Sequence, residues 1–156
     1  MRGEKNVEVR FSRPVPGVSA AWVKKIISGT LAFEKNKNRL VGAYLTDDAK
    51  IREINKRYLK HDTATDVIAF WFEGTPLTEK ERNFLGDIVA SVETAKRVAK
   101  EMKITFKEEL ARYLVHGTLH LLGYDDKKPK NKKVMHCRQE WIVDQLCTEE
   151  EHSSKA

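Results

Sequence analysis

Residues 113–122 constrain the fold more than any other part of the sequence, because this stretch is apolar almost all round. A helix with hydrophobic side chains on every side has no face for water, so it is expected at the centre of a domain. Thr105 can cap such a helix with Glu108 completing a capping box, and Gly123 stands where a left-handed C-cap is expected. The sequence therefore predicts one buried central helix with the other elements packed around it.

Hydrophobic periodicity predicts the elements around this helix. Strands are predicted at residues 6–12, 39–46, 66–72 and 85–91, with a polar connector at 74–83. Further helices are predicted after the caps Ser19 and Thr46, over 92–102 and from about Pro129, with Ile51, Ile54, Tyr58 and Met102 among the inward side chains. This order of elements indicates an α+β fold in which helices pack on a small mixed sheet.

The length and composition fit one soluble domain. The chain has 156 residues, of which 40% are hydrophobic and 33% charged. We expect a single domain over residues 1–147 and a flexible tail over 148–156. The charged N-terminus does not resemble a signal peptide, and no apolar run approaches the roughly 20 residues that cross a bilayer, so a cytoplasmic protein without a membrane partner is expected.

The cysteine content and the net charge also limit what the protein can do. Cys137 and Cys147 are ten residues apart on one predicted helix, about 15 Å, which is beyond disulfide reach, so both are expected to be free thiols. The net charge of +6 permits a nucleic-acid partner but does not establish one.

Two histidines on the central helix are the candidate metal ligands. His116 and His120 are four residues apart, so they lie on one helical face and can bind one ion. The turn at Gly123 can bring a carboxylate, Asp125 or Asp126, back toward them. The alternative is two ordinary polar residues at a helix end. Burial favours the metal, because two buried neutral rings without partners are costly.

Gly117 limits what such a site can do. In HExxH metalloproteases the residue after the first histidine is a glutamate that acts as general base, and glycine cannot transfer a proton. No protein general base is therefore assigned. A metal-bound water could still attack a phosphodiester.

Residues 116–125 (HGTLHLLGYD) resemble the signature of the YbeY family, bacterial endoribonucleases of ribosomal RNA maturation. Seven upstream residues fall where that family has its "N..Y…D.PTDVLSF" segment: Asn55, Tyr58, Asp62, Thr65, Asp66, Val67 and Phe70. Residues 86–89 are similar to its "GD(I/L)V" strand, and the likeness spans roughly residues 40 to 145.

This resemblance implies a zincin-like fold, one divalent metal, usually zinc, and cleavage of single-stranded ribosomal RNA in the cytoplasm. It also implies work in small-subunit ribosomal RNA processing and ribosome quality control, with the ribosome or small-subunit proteins as partners and no DNA substrate. The implied ligands are His116, His120 and Asp126, where most of the family has a third histidine. Leu59 replaces an arginine expected to meet RNA phosphate, and Ala64 replaces a proline.

Several other residues are candidates for RNA binding or for support of the metal. The basic side chains that could contact phosphate are Arg57, Lys60, His61, Lys127, Lys128 and Lys130. The last three belong to a lysine run over 127–133, for which the alternative interpretation is an ordinary solvated surface. Asp87 is a candidate partner for a ligand histidine, or it caps a turn, and His136 with Cys137 is a weaker second ligand pair. Of Phe70, Trp71 and Phe72, which could stack on bases, at least two are expected in the core.

The leading hypothesis is a metal-dependent endoribonuclease. A zincin-type metalloprotease is the runner-up, weakened by Gly117. The third hypothesis is a ribosome-associated binding factor whose metal is structural; it rests on the departures at Leu59 and Asp126.

Overall fold

A four-stranded sheet with helices on both faces forms the architecture of the protein. The computed structural model describes residues 6–59 and 66–155, without the side chains of residue 59 and of 149–155. The strands are β1 (Val7–Phe11), β2 (Leu40–Thr46), β3 (Val67–Trp71) and β4 (Phe84–Ser91). The helices are α1 (Ala20–Phe33), α2 (Asp48–Ile54), α3 (Glu79–Asn83), α4 (Val92–Met102), α5 (Phe106–Leu121) and α6 (Pro129–Lys155), and a π-helical turn at Asn55–Leu59 follows α2.

The sheet is mixed, with strand order β1-β2-β4-β3. β1, β2 and β4 run parallel, and β3 pairs antiparallel with β4 at the edge. Side chains alternate between the two faces. Ile88 of β4 faces α5, where it contacts Gly117, whereas its neighbour Val89 lies on the opposite face with Ile51 of α2.

The predicted central helix is confirmed as α5. Leu110, Leu114 and Leu119 are fully buried, and the helix packs against the sheet and against α1, α4 and α6. Thr105 caps it by accepting a hydrogen bond from the backbone N–H of Glu108, and Gly123 has a φ of +104° at its end. The α+β class and the mixed sheet packed against helices are confirmed as well.

One helix begins a residue later than predicted. Asp47, not Thr46, caps α2, its carboxylate accepting a hydrogen bond of 2.8 Å from the N–H of Lys50. Thr46 is the last residue of β2 and is buried, and its hydroxyl has no partner within the described part of the chain. The strand ends at Thr46, as predicted, and because Thr46 is still part of β2 its side chain packs into the protein and does not cap the helix. In addition, the connector at 74–83 contains the short helix α3, with a capping box of its own.

Two side chains predicted to face inward are exposed. Tyr58 is 64% exposed and Met102 59% exposed. Tyr58 lies in the π-helical turn, whose wider winding breaks the spacing that places Ile51 and Ile54 inward. Met102 is the last residue of α4, and the left-handed conformation of Lys103 ends that helix before Met102 can pack.

The expectation that two of the three aromatics of residues 70–72 lie in the core is wrong. Trp71 is 55% and Phe72 37% exposed, and Phe70 is partly buried. Trp71 pairs with Gly86, which faces Leu121, the final residue of α5. The edge strand therefore ends where its covering helix ends, and no helix remains to bury the last aromatics.

Cys137 and Cys147 are thiols that take part in no disulfide, as predicted. Every helix in the described ranges is too short or too polar to span a membrane. The helix α6 continues to Lys155, past the predicted domain boundary at 147; the boundary and a flexible tail over 148–156 stay predictions.

Candidate metal centre

The helix α5 presents His116 and His120 side by side. Their ring centroids are 4.6 Å apart and their planes are nearly perpendicular, at 85°. Both side chains are partly buried, 29% and 21% exposed. Residues four apart on a helix lie one turn from each other on the same face, so the sequence spacing dictates this approach.

Asp126 completes the cluster. The chain reverses at Gly123, and Oδ2 of Asp126 lies 3.3 Å from Nε2 of His120 and 3.9 Å from Nε2 of His116. The three ligand atoms all lie within 4.8 Å of one another. The neighbouring Asp125 instead accepts a hydrogen bond of 2.9 Å from the backbone N–H of Lys127. Of the two acids that the turn could bring back, the structure thus brings Asp126.

These three residues fit one divalent ion. Two ligand atoms about 2.1 Å from a tetrahedral ion are about 3.4 Å apart, close to the separations found between the Asp126 carboxylate and the two rings. A set of two imidazoles and one carboxylate is common at catalytic zinc sites, which keep a fourth position open. His116, His120 and Asp126 could therefore hold a metal ion.

The Nδ1 atoms of both rings are occupied by other groups. Nδ1 of His116 lies 2.7 Å from Oε1 of Gln139, and Nδ1 of His120 lies 3.1 Å from the backbone oxygen of Tyr124. Both Nε2 atoms are consequently the ones that face Asp126. Metal-bound histidines usually donate their second ring N–H to such an acceptor, which fixes the ring and raises its basicity.

The local electrostatics favour the neutral form of the His116 ring. Burial lowers the pKa of His116, and the neighbouring ring of His120 lowers it further, against the hydrogen bond to Gln139. Neutral imidazole is the form that binds a metal.

Tyr113 lies in the same cleft, and burial, together with Glu109, raises the pKa of its phenol, which therefore stays protonated at neutral pH.

Gly117 faces the sheet and not the cluster. A Cβ at this position would lie 2.8 Å from Cγ2 of the fully buried Ile88. The helix thus approaches β4 as closely as a glycine permits. A side chain at the position that carries the general base in HExxH metalloproteases would therefore meet the sheet here and not the cluster.

A cleft opens beside His116 and Asp126. Its other walls include Asp66 and Val67 of the edge-strand region, Tyr113, and Lys132 and His136 of α6. The edge strand and the first turns of α6 thus flank the candidate metal position. His136 lines this cleft and Cys137 is exposed, but neither belongs to the group of three ligands.

The predicted RNA-binding residues lie at different places. Lys127, Lys128 and Lys130 are exposed immediately after Asp126. Arg57 is exposed in a groove on the other face of the sheet, so the structure does not bring it to the metal centre. Lys60 and His61 fall outside the described residues.

The sequence makes Asp87 a candidate partner for a ligand histidine, but the structure places it elsewhere. It lies on the face of the sheet opposite α5, beside Gly42 and paired with Phe70, so it does not support a ligand histidine. Burial raises the pKa of its carboxyl group. The residues that do contact the histidines, Gln139 and Tyr124, were not predicted in this role. Gln139 had a signal in the sequence, because it interrupts the apolar face that Met135 and Ile142 share.

The sequence matches one family over most of its length. The profile described as "Endoribonuclease YbeY" matches residues 13–147. Relatives named "Endoribonuclease YbeY" include that of Persephonella marina, 35% identical over 130 residues, which covers 83% of this chain and 84% of the relative. The relative from Sulfurihydrogenibium sp. is 41% identical over 127 residues, covering 80% of this chain and 82% of its own.

Other matches are shorter or structural. The Myxococcus xanthus relative of the same name is 44% identical over 99 residues, and the match spans 64% of this chain but 34% of that relative. Among solved structures, the fold resembles the solution structure of TM1509 from Thermotoga maritima, with a TM-score of 0.66 and 25% identity over 94% of this chain and 93% of that one.

Proposed function

The chain belongs to the endoribonuclease YbeY family, and we propose that it is a metal-dependent, single-strand-specific endoribonuclease that acts in ribosomal RNA maturation and ribosome quality control. The observation that carries the proposal is the cluster of His116, His120 and Asp126 within 4.8 Å, on a chain whose relatives are named endoribonucleases. The overall arrangement, a central helix with two histidines beneath an edge strand, is what we propose to be zincin-like.

The proposed ion is zinc, one per chain. Two imidazole nitrogens and one carboxylate oxygen suit zinc and other borderline divalent metals better than calcium or magnesium, which prefer oxygen alone. When bound, such an ion supplies an acidified water and a positive charge beside the scissile phosphate.

The chain's own residues have three tasks in this proposal. His116 and His120 direct their Nε2 atoms toward the ion, because acceptors engage their Nδ1 atoms. The carboxylate of Asp126 neutralises part of the positive charge of the ion. Lys127, Lys128 and Lys130, together with Lys132 in the cleft, attract the RNA backbone, which needs positive charge but no fixed geometry.

The proposed substrate is single-stranded RNA. The name of the relatives supports RNA, and the exposed lysines after Asp126 can attract a phosphate backbone. We also propose a cytoplasmic location, with the ribosome or small-subunit proteins as partners, and we expect no DNA substrate and no membrane association. The family supports the RNA substrate and the ribosomal partners, and the basic net charge of +6 is compatible with a nucleic-acid partner.

The proposal is tested by metal analysis together with cleavage assays. Purified protein should carry about one transition metal per chain, and His116→Ala should lose most of it. Single-stranded RNA should be cut by wild type in a chelator-sensitive manner, while casein stays intact. Robust chelator-sensitive cleavage of casein with inert RNA would support a metalloprotease. Bound metal with neither activity would support a binding factor with a structural metal.

A further inference from the structure

Gln139 is a buried polar residue in the interface between α5 and α6. It is 6% exposed and lies between the buried Met135 and Ile142 on the inner face of α6. A buried amide is costly unless its groups are hydrogen-bonded, and it destabilises a helix interface that apolar side chains could fill. We therefore expect hydrogen-bond partners for both its amide oxygen and its amide N–H groups.

One side of the amide is fixed by a chain of charged groups. Arg112, whose guanidinium only donates, gives hydrogen bonds of 2.8 and 3.0 Å to the carboxylate of Glu140. Burial alone would raise the pKa of Glu140, but the hydrogen bonds from Arg112 and Gln139 outweigh it and hold the pKa below its ordinary value. Glu140 is thus ionised and only accepts, and Nε2 of Gln139 donates to it at 3.0 Å.

The other side of the amide then has a single possible role. With Nε2 of Gln139 committed to Glu140, the oxygen Oε1 is the atom that faces Nδ1 of His116, at 2.7 Å. An amide oxygen only accepts, so the proton of the neutral imidazole must lie on Nδ1. The lone pair of His116 is consequently on Nε2, the atom that faces Asp126.

We propose that Gln139 is a positioning residue that fixes the Nδ1–H tautomer and the ring orientation of His116, and that Glu140 and Arg112 fix Gln139 in turn. The role of this arrangement in metal binding rests on the proposed function, whereas the tautomer of His116 follows from the hydrogen bonds alone. It deepens that proposal by making α6, and not only α5 and the Asp126 turn, part of the centre.

The second histidine has an equivalent arrangement, which supports the interpretation. Nδ1 of His120 faces the backbone oxygen of Tyr124, which also only accepts. Tyr124 is held by a hydrogen bond of 2.6 Å from its hydroxyl to Glu34, the residue that caps the end of α1. Both ligand rings therefore face oxygen atoms that only accept, and the residues that carry these oxygens are held by Glu140 and by Glu34.

The test compares two substitutions of similar size that differ in hydrogen bonding. Gln139→Met removes the acceptor and Gln139→Glu keeps it. Gln145→Met, on the same helix, is the matched control. In the metal-free proteins, the nitrogen chemical shifts of the His116 ring report the tautomer, at a pH above the range in which histidine titrates. Zinc affinity is measured separately by competition with a chelating dye.

The expected results separate the variants. Wild type, Gln139→Glu and Gln145→Met should show the Nδ1–H tautomer of His116, and Gln139→Met should lose it. The zinc dissociation constant of Gln139→Met should rise roughly 10- to 100-fold, the usual cost of removing a group that supports a ligand, while the control stays at the wild-type value.

The inference is overturned if Gln139→Met keeps the Nδ1–H tautomer and wild-type zinc affinity, or if Gln139→Glu loses the tautomer to the same degree as Gln139→Met. If wild type binds no zinc, the proposed function fails, and the tautomer measured in the metal-free proteins still decides the role of Gln139. Should Gln139→Met not fold, Glu140→Met, which removes the acceptor for the Gln139 N–H, should give a mixture of both tautomers; an unmixed Nδ1–H form would contradict the inference.

Discussion

The carboxylate oxygen Oδ2 of Asp126 lies 3.3 Å from Nε2 of His120. This contact crosses the turn at Gly123 and joins the end of α5 to the segment that leads into α6. It places a negative charge where an ion can be shared with both histidines.

The first prediction distinguishes the two adjacent acids. Asp126→Ala should weaken zinc binding by at least roughly 10-fold, because two ligands remain where three were available. Asp125→Ala is the matched control, since Asp125 is engaged with the backbone N–H of Lys127 and should leave zinc affinity unchanged. Zinc affinity is measured by competition with a chelating dye. Equal affinities for the wild type and Asp126→Ala would remove Asp126 from the ligand set.

The second prediction concerns the close approach at Gly117. A methyl group there would lie 2.8 Å from Cγ2 of Ile88, a branched side chain buried in β4, so Gly117→Ala should force the helix from the sheet. Overpacking of this kind costs about 1–3 kcal/mol, more than the roughly 1 kcal/mol gained in helix propensity. The free energy of unfolding should fall, as measured by urea denaturation.

Gly29 of α1 provides the control for that measurement. A methyl group at Gly29 would meet Cδ2 of Leu146 at 2.7 Å, but this atom is the end of a flexible side chain that can rotate away. Gly29→Ala should therefore be neutral or slightly stabilising. A Gly117→Ala variant as stable as Gly29→Ala would contradict the prediction and show that Ile88 can shift to accommodate the methyl group.

The caps and the central helix could be predicted from the sequence because they depend on local chemistry. The apolar run of α5, the Thr105 cap and the left-handed Gly123 each depend on residues within a few positions of one another. The same holds for the spacing of His116 and His120, which a helix converts directly into proximity.

The face on which Asp87 lies and the identity of the residue that Gln139 contacts depend on tertiary packing and could not be predicted. Alternation along β4 indicates that neighbouring residues face opposite ways, but both faces of this sheet carry helices, so it does not reveal which face meets the histidines. Gln139 reaches His116 across 23 residues of sequence because α6 crosses α5 at that level. The exposure of Trp71 likewise follows from the end of a helix distant in sequence.

The third prediction concerns the lysines after the metal centre. Replacing Lys127, Lys128 and Lys130 by glutamine should weaken binding of single-stranded RNA, and the slope of the logarithm of affinity against the logarithm of salt concentration should become shallower by up to about 2. Zinc content should not change. Binding is measured by fluorescence anisotropy over a salt series.

The control replaces three exposed lysines, Lys96 and Lys100 of α4 and Lys103 at its C-cap, and carries the same change in net charge. If both triple variants lose the same affinity and slope, net charge alone accounts for RNA attraction. The lysines near Asp126 would then be ordinary solvated surface.

The fourth prediction is a pH dependence of stability at Asp48. Burial would raise the pKa of its carboxyl group, but hydrogen bonds from Ser91, Thr94 and Arg97 outweigh it, and the pKa lies below its usual value of 3.8. The folded protein thus favours the ionised form. The resulting stability is present above pH 3.8 and is lost as the pH falls through the lower pKa of the folded state.

Asp48→Asn should therefore lower the free energy of unfolding by about 1–2 kcal/mol at neutral pH, through the loss of charge-assisted hydrogen bonds, and by less in strong acid. Asp144→Asn, an exposed carboxylate of α6, is the matched control and should have little effect at either pH. Urea denaturation at both pH values measures the difference. A deficit for Asp48→Asn that does not shrink in acid would show that the ionised carboxylate is not what stabilises this contact.

The most direct test of the central claim is reconstitution of RNA cleavage from metal-free protein. The rate at which single-stranded RNA is cut should be near zero after metal removal and should rise in proportion to added zinc until about one ion per chain is bound. His116→Ala, given the same zinc, should stay inactive. Undiminished cleavage by the metal-free protein, or full activity of His116→Ala, would contradict the assignment of His116, His120 and Asp126 as a catalytic metal centre.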